Sequence, residues 1–423
     1  MQNEKLAQTY RPSLNAIEAA AEKLKAVVLR TPLMQSLTFS EKYKANIVFK
    51  REDLQIVRSY KIRGAYHKIS GLSEAQKRQG VVCASAGNHA QGVAYSCQKL
   101  GVKATIFMPA PTPKQKVEQV AFFGKEFVEI VLKGDTFDDA QAFAKHYCHE
   151  TDRIFIPPFD DEKVIEGQGT VGLEILQATL APTDYLFLPI GGGGLASGVA
   201  AVFKTLSPNT KIIGVEPEGA PAMKNSIAAG ENLPLKEMDK FVDGAAVKQV
   251  GHLNFSICKE LLDEVVTVPE GLICSTMLQL YNRDAIVVEP AGALSLSALE
   301  QFAAEIKGKN VVCVISGSNN DISRTEEIRE RSLLYEGLKH YFIVRFPQRA
   351  GALKEFLTEV LGPEDDIVHF EYTKKTSREK GPALIGIELK KKTDLEPLFN
   401  QMKSKNFEFE YLNKQPDLFG HLI

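Results

Sequence analysis

The sequence predicts an α/β chain of two lobes followed by a smaller α+β module, and three observations carry the prediction. Short apolar runs alternate with amphipathic helical stretches between Val81 and Glu150, the rhythm of parallel βαβ units. A second series of the same kind runs from Val164 to Ile315 and holds four consecutive glycines, Gly191 to Gly194. At Lys339 the composition shifts, and strand and helix then follow in the order βαββαβ, the ferredoxin-like split unit. A length of 423 residues suits about two or three lobes.

Ser13 to Val28 reads as an amphipathic helix, with Pro12 before it and Thr31-Pro32-Leu33 breaking it. Asn46 to Lys50 is an apolar strand, and Ser59-Tyr60-Lys61-Ile62-Arg63-Gly64-Ala65 opens the helix after it. The first series then has a strand at Val81 to Ala84, a helix at Asn88 to Leu100 closed by Gly101, and a strand at Ala104 to Met108. A helix at Pro113 to Phe123 closed by Gly124, a strand at Phe127 to Val131 and a helix at Phe137 to Glu150 complete it. The second series begins with a helix at Val164 to Leu180 and a strand at Tyr185 to Pro189. The tetraglycine follows, then a helix at Leu195 to Leu206 and a strand at Lys211 to Val215. Glu264 to Val268, Ala285 to Val288 and Val311 to Ile315 are strand-like, with helices between them. The charged helical run Ile322 to Leu338 reads as an outer cover of this lobe or a connector.

In the last module Tyr341 to Phe346 alternates like a half-buried antiparallel strand. Gly351 to Leu361 and Leu395 to Lys405 read as helices, and Ile367 to Tyr372, Ala383 to Leu389 and Phe407 to Leu412 as strands. The polar stretch Lys374 to Gly381 is expected to be a mobile loop.

Hydrophobic residues at 44% and charged ones at 25% are typical of a soluble globular protein. The net charge of −2 gives no electrostatic case for nucleic acid or an anionic membrane as partner. No apolar run reaches the roughly 18 residues of a membrane helix, and Met1 to Arg11 lacks the apolar core of a secretory signal. Cys83, Cys97, Cys148, Cys258, Cys274 and Cys313 are scattered, with no C-x-x-C pair. They read as reduced core residues of a cytoplasmic protein without a metal site.

Four stretches carry chemistry. Lys61 stands where a strand opens into a helix start; the macrodipole there favours its neutral form, and a neutral amine is a nucleophile that forms Schiff bases. Read alone, the heptapeptide fits a solvated lysine at least as well. Gly191 to Gly194 lies between a strand and a helix, where backbone N–H groups bind phosphate. Four glycines are entropically costly for a plain turn, which favours the anion site. Gly191, Gly193 and Ala196 also satisfy a loose dinucleotide fingerprint, with Glu216 about 20 residues on, where an acid meets a ribose. On this motif a nicotinamide enzyme competes. Ser85-Ala86-Gly87-Asn88-His89 is another strand-to-helix turn, either a carboxylate site or an ordinary cap by Ser85 or Asn88. His89 is assigned no proton transfer. Ser316 ends a buried strand, where open α/β sheets place ligands, with a cap as the equal alternative.

Lys61 in Ser59-Tyr60-Lys61-Ile62-Arg63-Gly64-Ala65, the run Ser85 to Gly92, Gly191-Gly192-Gly193-Gly194-Leu195, Glu289-Pro290-Ala291-Gly292-Ala293 and Ser316-Gly317 occur in that order. Together they resemble the fold-type II pyridoxal-phosphate enzymes, whose catalytic domain is like the tryptophan synthase β subunit, and within them the threonine deaminases. The resemblance covers roughly residues 10 to 335. It implies a catalytic domain at 1–335, with a small lobe at about 53–155 inserted in a large one, and pyridoxal 5'-phosphate as cofactor. Lys61 would carry the cofactor as a Schiff base, Asn88 would meet its phenolic oxygen, and Gly191, Gly192, Gly193, Gly194 and Leu195 would hold its phosphate. Ser316 would face the pyridine nitrogen and Glu289 would lie near the ring. Ser85, Ala86, Gly87, Asn88 and His89 would receive the substrate carboxylate. Tyr60 stands where the family usually has phenylalanine. Serine racemases of this family bind a divalent metal; the matching positions here are Glu216, Ala220 and Ala222, and without a carboxylate at Ala222 that site loses a hard ligand.

Residues 339–413 resemble an ACT-like regulatory module, with Arg349-Ala350-Gly351-Ala352-Leu353 in the first strand-to-helix turn, the usual ligand position. The implied function is deamination of L-threonine to 2-oxobutanoate and ammonia, the first step of isoleucine biosynthesis. The chain would form a homo-oligomer, a dimer or tetramer, and answer to isoleucine or valine. A module serving only subunit contact is the alternative. Serine dehydratase, threonine synthase and cysteine synthase are the competing activities inside the family. A nicotinamide-dependent oxidoreductase and a non-catalytic amino-acid sensor compete outside it.

Overall fold

The computed structural model describes residues 10–372 and 380–415. The polar stretch at 374–381, expected as a mobile loop, lies outside the described residues as far as 379. The chain divides into two compact units between Ile322 and Ser323.

Among the described residues the first unit holds ten strands in two sheets. They are β1 (Leu33–Gln35), β2 (Asn46–Arg51), β3 (Val81–Ala84), β4 (Ala104–Met108), β5 (Val128–Leu132), β6 (Ile154–Phe155), β7 (Tyr185–Pro189), β8 (Lys211–Pro217), β9 (Glu264–Val268) and β10 (Asn310–Ile315). Six form one sheet in the order β1-β2-β10-β7-β8-β9, parallel except for the edge strand β1. The other four form a parallel sheet in the order β5-β4-β3-β6, and in the chain they lie between β2 and β7. A parallel sheet needs cover on both faces. The central strands comply, since Leu186, Phe187 and Leu188 expose nothing although successive side chains point to opposite faces. Each such side chain contributes about 1.5–3 kcal/mol.

Three helices fix the site's frame through glycine contacts. Lys61–Ser70 crosses Glu162–Ala178 where a Cβ on Gly167 would lie 2.7 Å from Gly64 Cα. Glu162–Ala178 in turn meets Gly194–Leu206 where a Cβ on Gly198 would lie 2.4 Å from Ile165 O and 2.6 Å from Gly169 N. The backbones therefore touch directly, and the helix that starts with Lys61 is stacked, through one intermediate helix, on the helix that starts at the tetraglycine.

A buried ion cluster anchors the same helix. The Arg63 guanidinium has no exposed surface; Nε and Nη2 each donate to Glu52 at 2.8 Å, and Nη1 and Nη2 donate to Glu174 at 2.7 and 2.9 Å. Lys50 Nζ donates to Glu174 at 2.5 Å and to Thr31 O at 2.8 Å. Two cations face two carboxylates, which is what permits such charges below the surface.

One reading needs correction, and another is narrowed from cover or connector to connector. Ala285 to Val288 joins no strand: Ala285, at φ 53°, ends the helix Glu270–Asp284, and Ile286 N turns back to Leu280 O. The charged run expected at Ile322 to Leu338 is a short 3-10 turn and the helix Thr325–Glu336, and from Ser323 onward it belongs to the second unit.

The second unit carries β11 (Lys339–Pro347), β12 (Asp366–Tyr372), β13 (Lys380–Glu388) and β14 (Glu408–Tyr411), with helices Ala352–Glu359 and Leu395–Ser404 between them. The sheet is antiparallel in the order β12-β13-β11-β14. Phe342, Phe346, Phe356, Ile385 and Met402 form its core.

Candidate functional site

Lys61 is the first residue of its helix, and the N-cap Tyr60 supplies no side-chain hydrogen bond. The Lys61 amine donates to Pro158 O at 2.8 Å and lies 5.4 Å from the Tyr60 ring centroid and 6.0 Å from that of Phe159. Burial lowers its pKa to about 8, with the Glu289 carboxyl pulling the other way. At pH 7 about a tenth of such an amine is neutral, far more than of a solvated lysine. The part-buried amine and its bond to Pro158 O favour the nucleophile reading of the heptapeptide over a freely solvated lysine.

The tetraglycine lies between β7 and the helix Gly194–Leu206. Gly193 adopts φ +92°, and a Cβ there would lie 2.8 Å from Asn254 Cβ. A Cβ on Gly192 would lie 2.2 Å from the Phe159 ring, so the ring beside the Lys61 amine also packs on the glycine loop. Gly192 O is held by Asn254 Nδ2 at 2.8 Å and Gly251 N at 3.1 Å. Among the described residues the N–H groups of Gly191 to Ala196 have no protein acceptor, and they crown a helix N-terminus. That is an anion cradle.

The turn 85–89 is not an ordinary cap. Ser85 Oγ accepts from Gly87 N at 3.2 Å, and the N-cap position belongs to Gly87, without a side-chain bond. The Asn88 side chain reaches away: Nδ2 donates to Glu289 Oε1 at 2.6 Å, and Oδ1 accepts from Asn319 Nδ2 at 2.6 Å. The N–H groups of Asn88, His89 and Ala90 have no protein acceptor among the described residues, and a Cβ on Gly87 would meet nothing within 4 Å. The turn is open toward a ligand. A Cβ on Gly92, one helical turn on, would lie 3.1 Å from Ile62 N, so this helix packs against the Lys61 turn itself. His89 Nε2 bonds Ile156 O at 2.9 Å, and burial, with the Lys61 charge, lowers its pKa to about 3. It stays neutral, in keeping with no role in proton transfer.

Ser316 follows β10, is buried, and its Oγ donates to Ala291 O at 3.2 Å, while its carbonyl accepts from Tyr60 N at 3.2 Å. Glu289 precedes the helix Pro290–Ser297 and is buried; its N–H donates to Gly317 O. Burial, reinforced by the charge of Asp243, raises its pKa to about 7. Lys61, Asn88, Glu289, Ser316 and the tetraglycine thus converge, although the chain separates Asn88 from Glu289 by 201 residues.

The dinucleotide reading fails on Glu216. Both its oxygens cap the helix Ala222–Ala229, accepting from Met223 N at 2.7 Å and Lys224 N at 2.8 Å. No cluster of metal-binding side chains occurs among the described residues, and no helix there is long and apolar enough to cross a membrane.

Three neighbours carried no signal in the sequence: Pro158, Phe159 and the Lys116–Asp243 ion pair at 2.6 Å, and a fourth, Asn319, was not singled out. Asn319 alone was within reach, as an amide just past a buried strand end.

Residues 24–317 match the family of pyridoxal-phosphate dependent enzymes, and residues 330–422 match the C-terminal regulatory domain of threonine dehydratase. The chain is 58% identical to the L-threonine dehydratase biosynthetic IlvA of Halalkalibacterium halodurans, over 96% of this chain and 97% of that protein. It is 55% identical to the protein of the same name from Bacillus subtilis, over 96% of each. Among solved structures it resembles the processed form of threonine deaminase isoform 2 from Solanum lycopersicum, with a TM-score of 0.72 and 38% identity, covering 77% of this chain and 96% of that one. The chain belongs to the pyridoxal-phosphate dependent enzymes and, within them, to the biosynthetic L-threonine dehydratases.

Proposed function

We propose that this chain deaminates L-threonine to 2-oxobutanoate and ammonia with pyridoxal 5'-phosphate held on Lys61, the entry step of isoleucine formation, under control of branched-chain amino acids. The observation that carries the reading is the shared wall of the site. Phe159 lies 6.0 Å from the Lys61 amine and packs on Gly192, so an amine of lowered pKa and an anion cradle face one space.

The residues present fit that cofactor. The N–H groups of Gly191, Gly192, Gly193, Gly194 and Leu195 suit a phosphate monoester, Lys61 suits an aldehyde, and the second Nδ2 hydrogen of Asn88 suits a phenolate oxygen. The Ser316 hydroxyl can turn from Ala291 O toward a ring nitrogen, and as a neutral group it does not hold that nitrogen protonated as a carboxylate would. When bound, the cofactor supplies an electron sink for charge left at the substrate Cα.

The turn from Ser85 to His89 receives the threonine carboxylate on its unpaired N–H groups. Lys61 yields its place to the substrate amine, and its freed, neutral amine takes the Cα proton. The β-hydroxyl would leave as water with the proton that Lys61 has taken, and the Lys61 amine would then return to its place, so that the released enamine takes up one water and hydrolyses to 2-oxobutanoate and ammonia. Lys61→Ala is expected to abolish 2-oxobutanoate formation and the visible absorption of the loaded protein; full turnover in this variant would remove the assignment. Threonine, serine and phosphohomoserine assayed side by side decide between threonine and serine deamination and threonine synthesis.

In the second unit a cavity of about 450 Å³ opens beside the turn between β11 and the helix Ala352–Glu359. Phe346, Leu353, Leu357, Phe370 and Tyr372 supply apolar walls, and Gln348, Arg349 and Lys354 supply polar groups. This suits a free amino acid with a branched apolar side chain, isoleucine or valine. Arg349, Gly351, Ala352 and Leu353 of the expected regulatory turn all line it.

A further inference from the structure

Two amide side chains in the first unit are ordered from one group that can only accept, the Val57 carbonyl. Asn319 Nδ2 donates both to Val57 O at 2.9 Å and to Asn88 Oδ1 at 2.6 Å. Asn88 Nδ2 donates to Glu289 Oε1 at 2.6 Å. An amide's nitrogen and oxygen are told apart by their partners, and here the partners decide. Val57 O is a carbonyl and cannot donate, so the nitrogen of Asn319 must face it. That nitrogen has two hydrogens, and the second points at Asn88, which must present its oxygen. The Asn88 nitrogen is left facing Glu289. One of its two hydrogens is spent there, and one is free.

We propose that Asn319 is a positioning residue for the reaction: it fixes the Asn88 carboxamide with its nitrogen, and so its one free N–H, directed to the cofactor's phenolic oxygen. The proposal rests on the reading of Asn88 as a contact to that oxygen. It assigns a role to a residue that acts through Asn88. Asn319 is suited to it by position. It follows β10 of the six-stranded sheet, yet its two partners are Val57, four residues before Lys61, and Asn88, the first residue of the helix after β3. The segment is itself tethered, since Ser318 N donates to Arg58 O at 2.9 Å and Ser318 Oγ to Asp53 O at 3.2 Å.

Glu289 supplies a second constraint only while it is ionised. With a pKa raised to about 7 by burial and the Asp243 charge, against the Asn88 hydrogen bond and the charges of Lys116 and Lys61, it carries a proton in part of the molecules at neutral pH and can then donate as well as accept. The carbonyl of Val57 does not titrate. Asn319 therefore keeps the Asn88 amide in one orientation across the pH range in which Glu289 alone would not.

The test uses the loaded full-length protein and two substitutions. Asn319→Asp puts acceptor-only oxygens against Val57 O and Asn88 Oδ1, which favours turning the Asn88 amide over. Asn319→Ala removes the clamp and leaves Glu289 to hold Asn88. Three quantities are read: the absorption band of the bound cofactor as a function of pH, the affinity of the cofactor-free protein for pyridoxal phosphate, and kcat against KM for threonine. Loss of a hydrogen bond to a charged oxygen corresponds to a fall in affinity of about ten- to a hundredfold. Asn319→Asp is expected to show it, with a displaced pH midpoint of the band and a lower kcat. Asn319→Ala is expected to match the unaltered protein above pH 8, where Glu289 is ionised, and to diverge below pH 6. Band, midpoint and affinity unchanged in both variants, or the same loss in both at every pH, would overturn the proposal. Asn88→Ala is the parallel arm. If it leaves band and affinity unaltered, the contact to the phenolic oxygen falls and takes the proposal with it; if it alters them while both Asn319 variants stay normal, only the proposal falls.

Discussion

The Lys61 amine works against its own fold. Its lowered pKa means that the folded, cofactor-free chain holds that proton less tightly than the unfolded chain, whose lysine titrates near the ordinary 10.5. Above that value both states are neutral there and no cost arises; the cost grows as pH falls from 10.5 toward 8 and is complete below 8. Lys61→Met keeps the length and removes the charge. The cofactor-free variant is therefore expected to melt at a higher temperature than the unaltered chain below pH 8, with the gap closing toward pH 10.5. Equal melting temperatures at pH 7 would show that the amine is well solvated. The same property sets reactivity: capture of the cofactor by the cofactor-free chain should rise with pH about a midpoint near 8, followed by absorbance. A strand-to-helix lysine was legible in the sequence. The size of its shift was not, because Pro158 and Phe159 lie almost a hundred positions away and nothing local announces them.

Elements were legible where periodicity is long and illegible where it is short or set by another segment. The helices after β3, β4 and β7 fall where turn residues and apolar spacing place them. β1 and β6, with three and two residues, are too short for any period to show. Ala285 to Val288 has strand composition, but its φ and its bond back to Leu280 take it out of the sheet. The glycine contacts between helices also escape a one-dimensional reading, since Gly198 matters only because Ile165 and Gly169 come opposite. Gly198→Ala would set a methyl 2.4 Å from Ile165 O, and such overpacking costs about 1–3 kcal/mol. Because this helix starts at the anion cradle, the variant should bind pyridoxal phosphate more weakly as well as unfold earlier. A loss of stability with unchanged cofactor affinity would mean that the stack does not set the cradle. The ion cluster makes a sharper case. Arg63→Ala leaves Glu52, with no exposed surface, with Lys50 Nζ at 3.7 Å as its remaining cationic neighbour, beside the neutral donors Thr31 Oγ1 and Gln55 Nε2. Removing one partner from a buried ion network costs about 3–5 kcal/mol, to be measured as a shift in denaturant midpoint at pH 7.

At the scale of the whole molecule, a catalytic unit and a regulatory one each keep their own core, and the regulatory one has its own cavity of small-molecule size. The order of elements made both readable, because alternation marks the first and βαββαβ the second. The turn Arg349 to Leu353 was named from the sequence, but the rest of the cavity lining was not, as its walls come from β11, the helix Ala352–Glu359 and β12 together. Leu357 is the informative position. It is 44% exposed, so a polar replacement costs the fold little, yet it lines the cavity. An arginine there puts a charge where a branched aliphatic side chain would lie, and desolvating that charge opposes binding. Coupling between two sites is a free energy that acts in both directions. Threonine turnover should therefore respond to isoleucine in the unaltered chain, and isoleucine should raise its melting temperature through binding the native state. In Leu357→Arg both responses should fall away together, read as kcat/KM and melting temperature at increasing isoleucine. If turnover still responds to isoleucine in full, the effector binds elsewhere; if the melting temperature rises but turnover does not follow, the cavity binds the amino acid without signalling to catalysis.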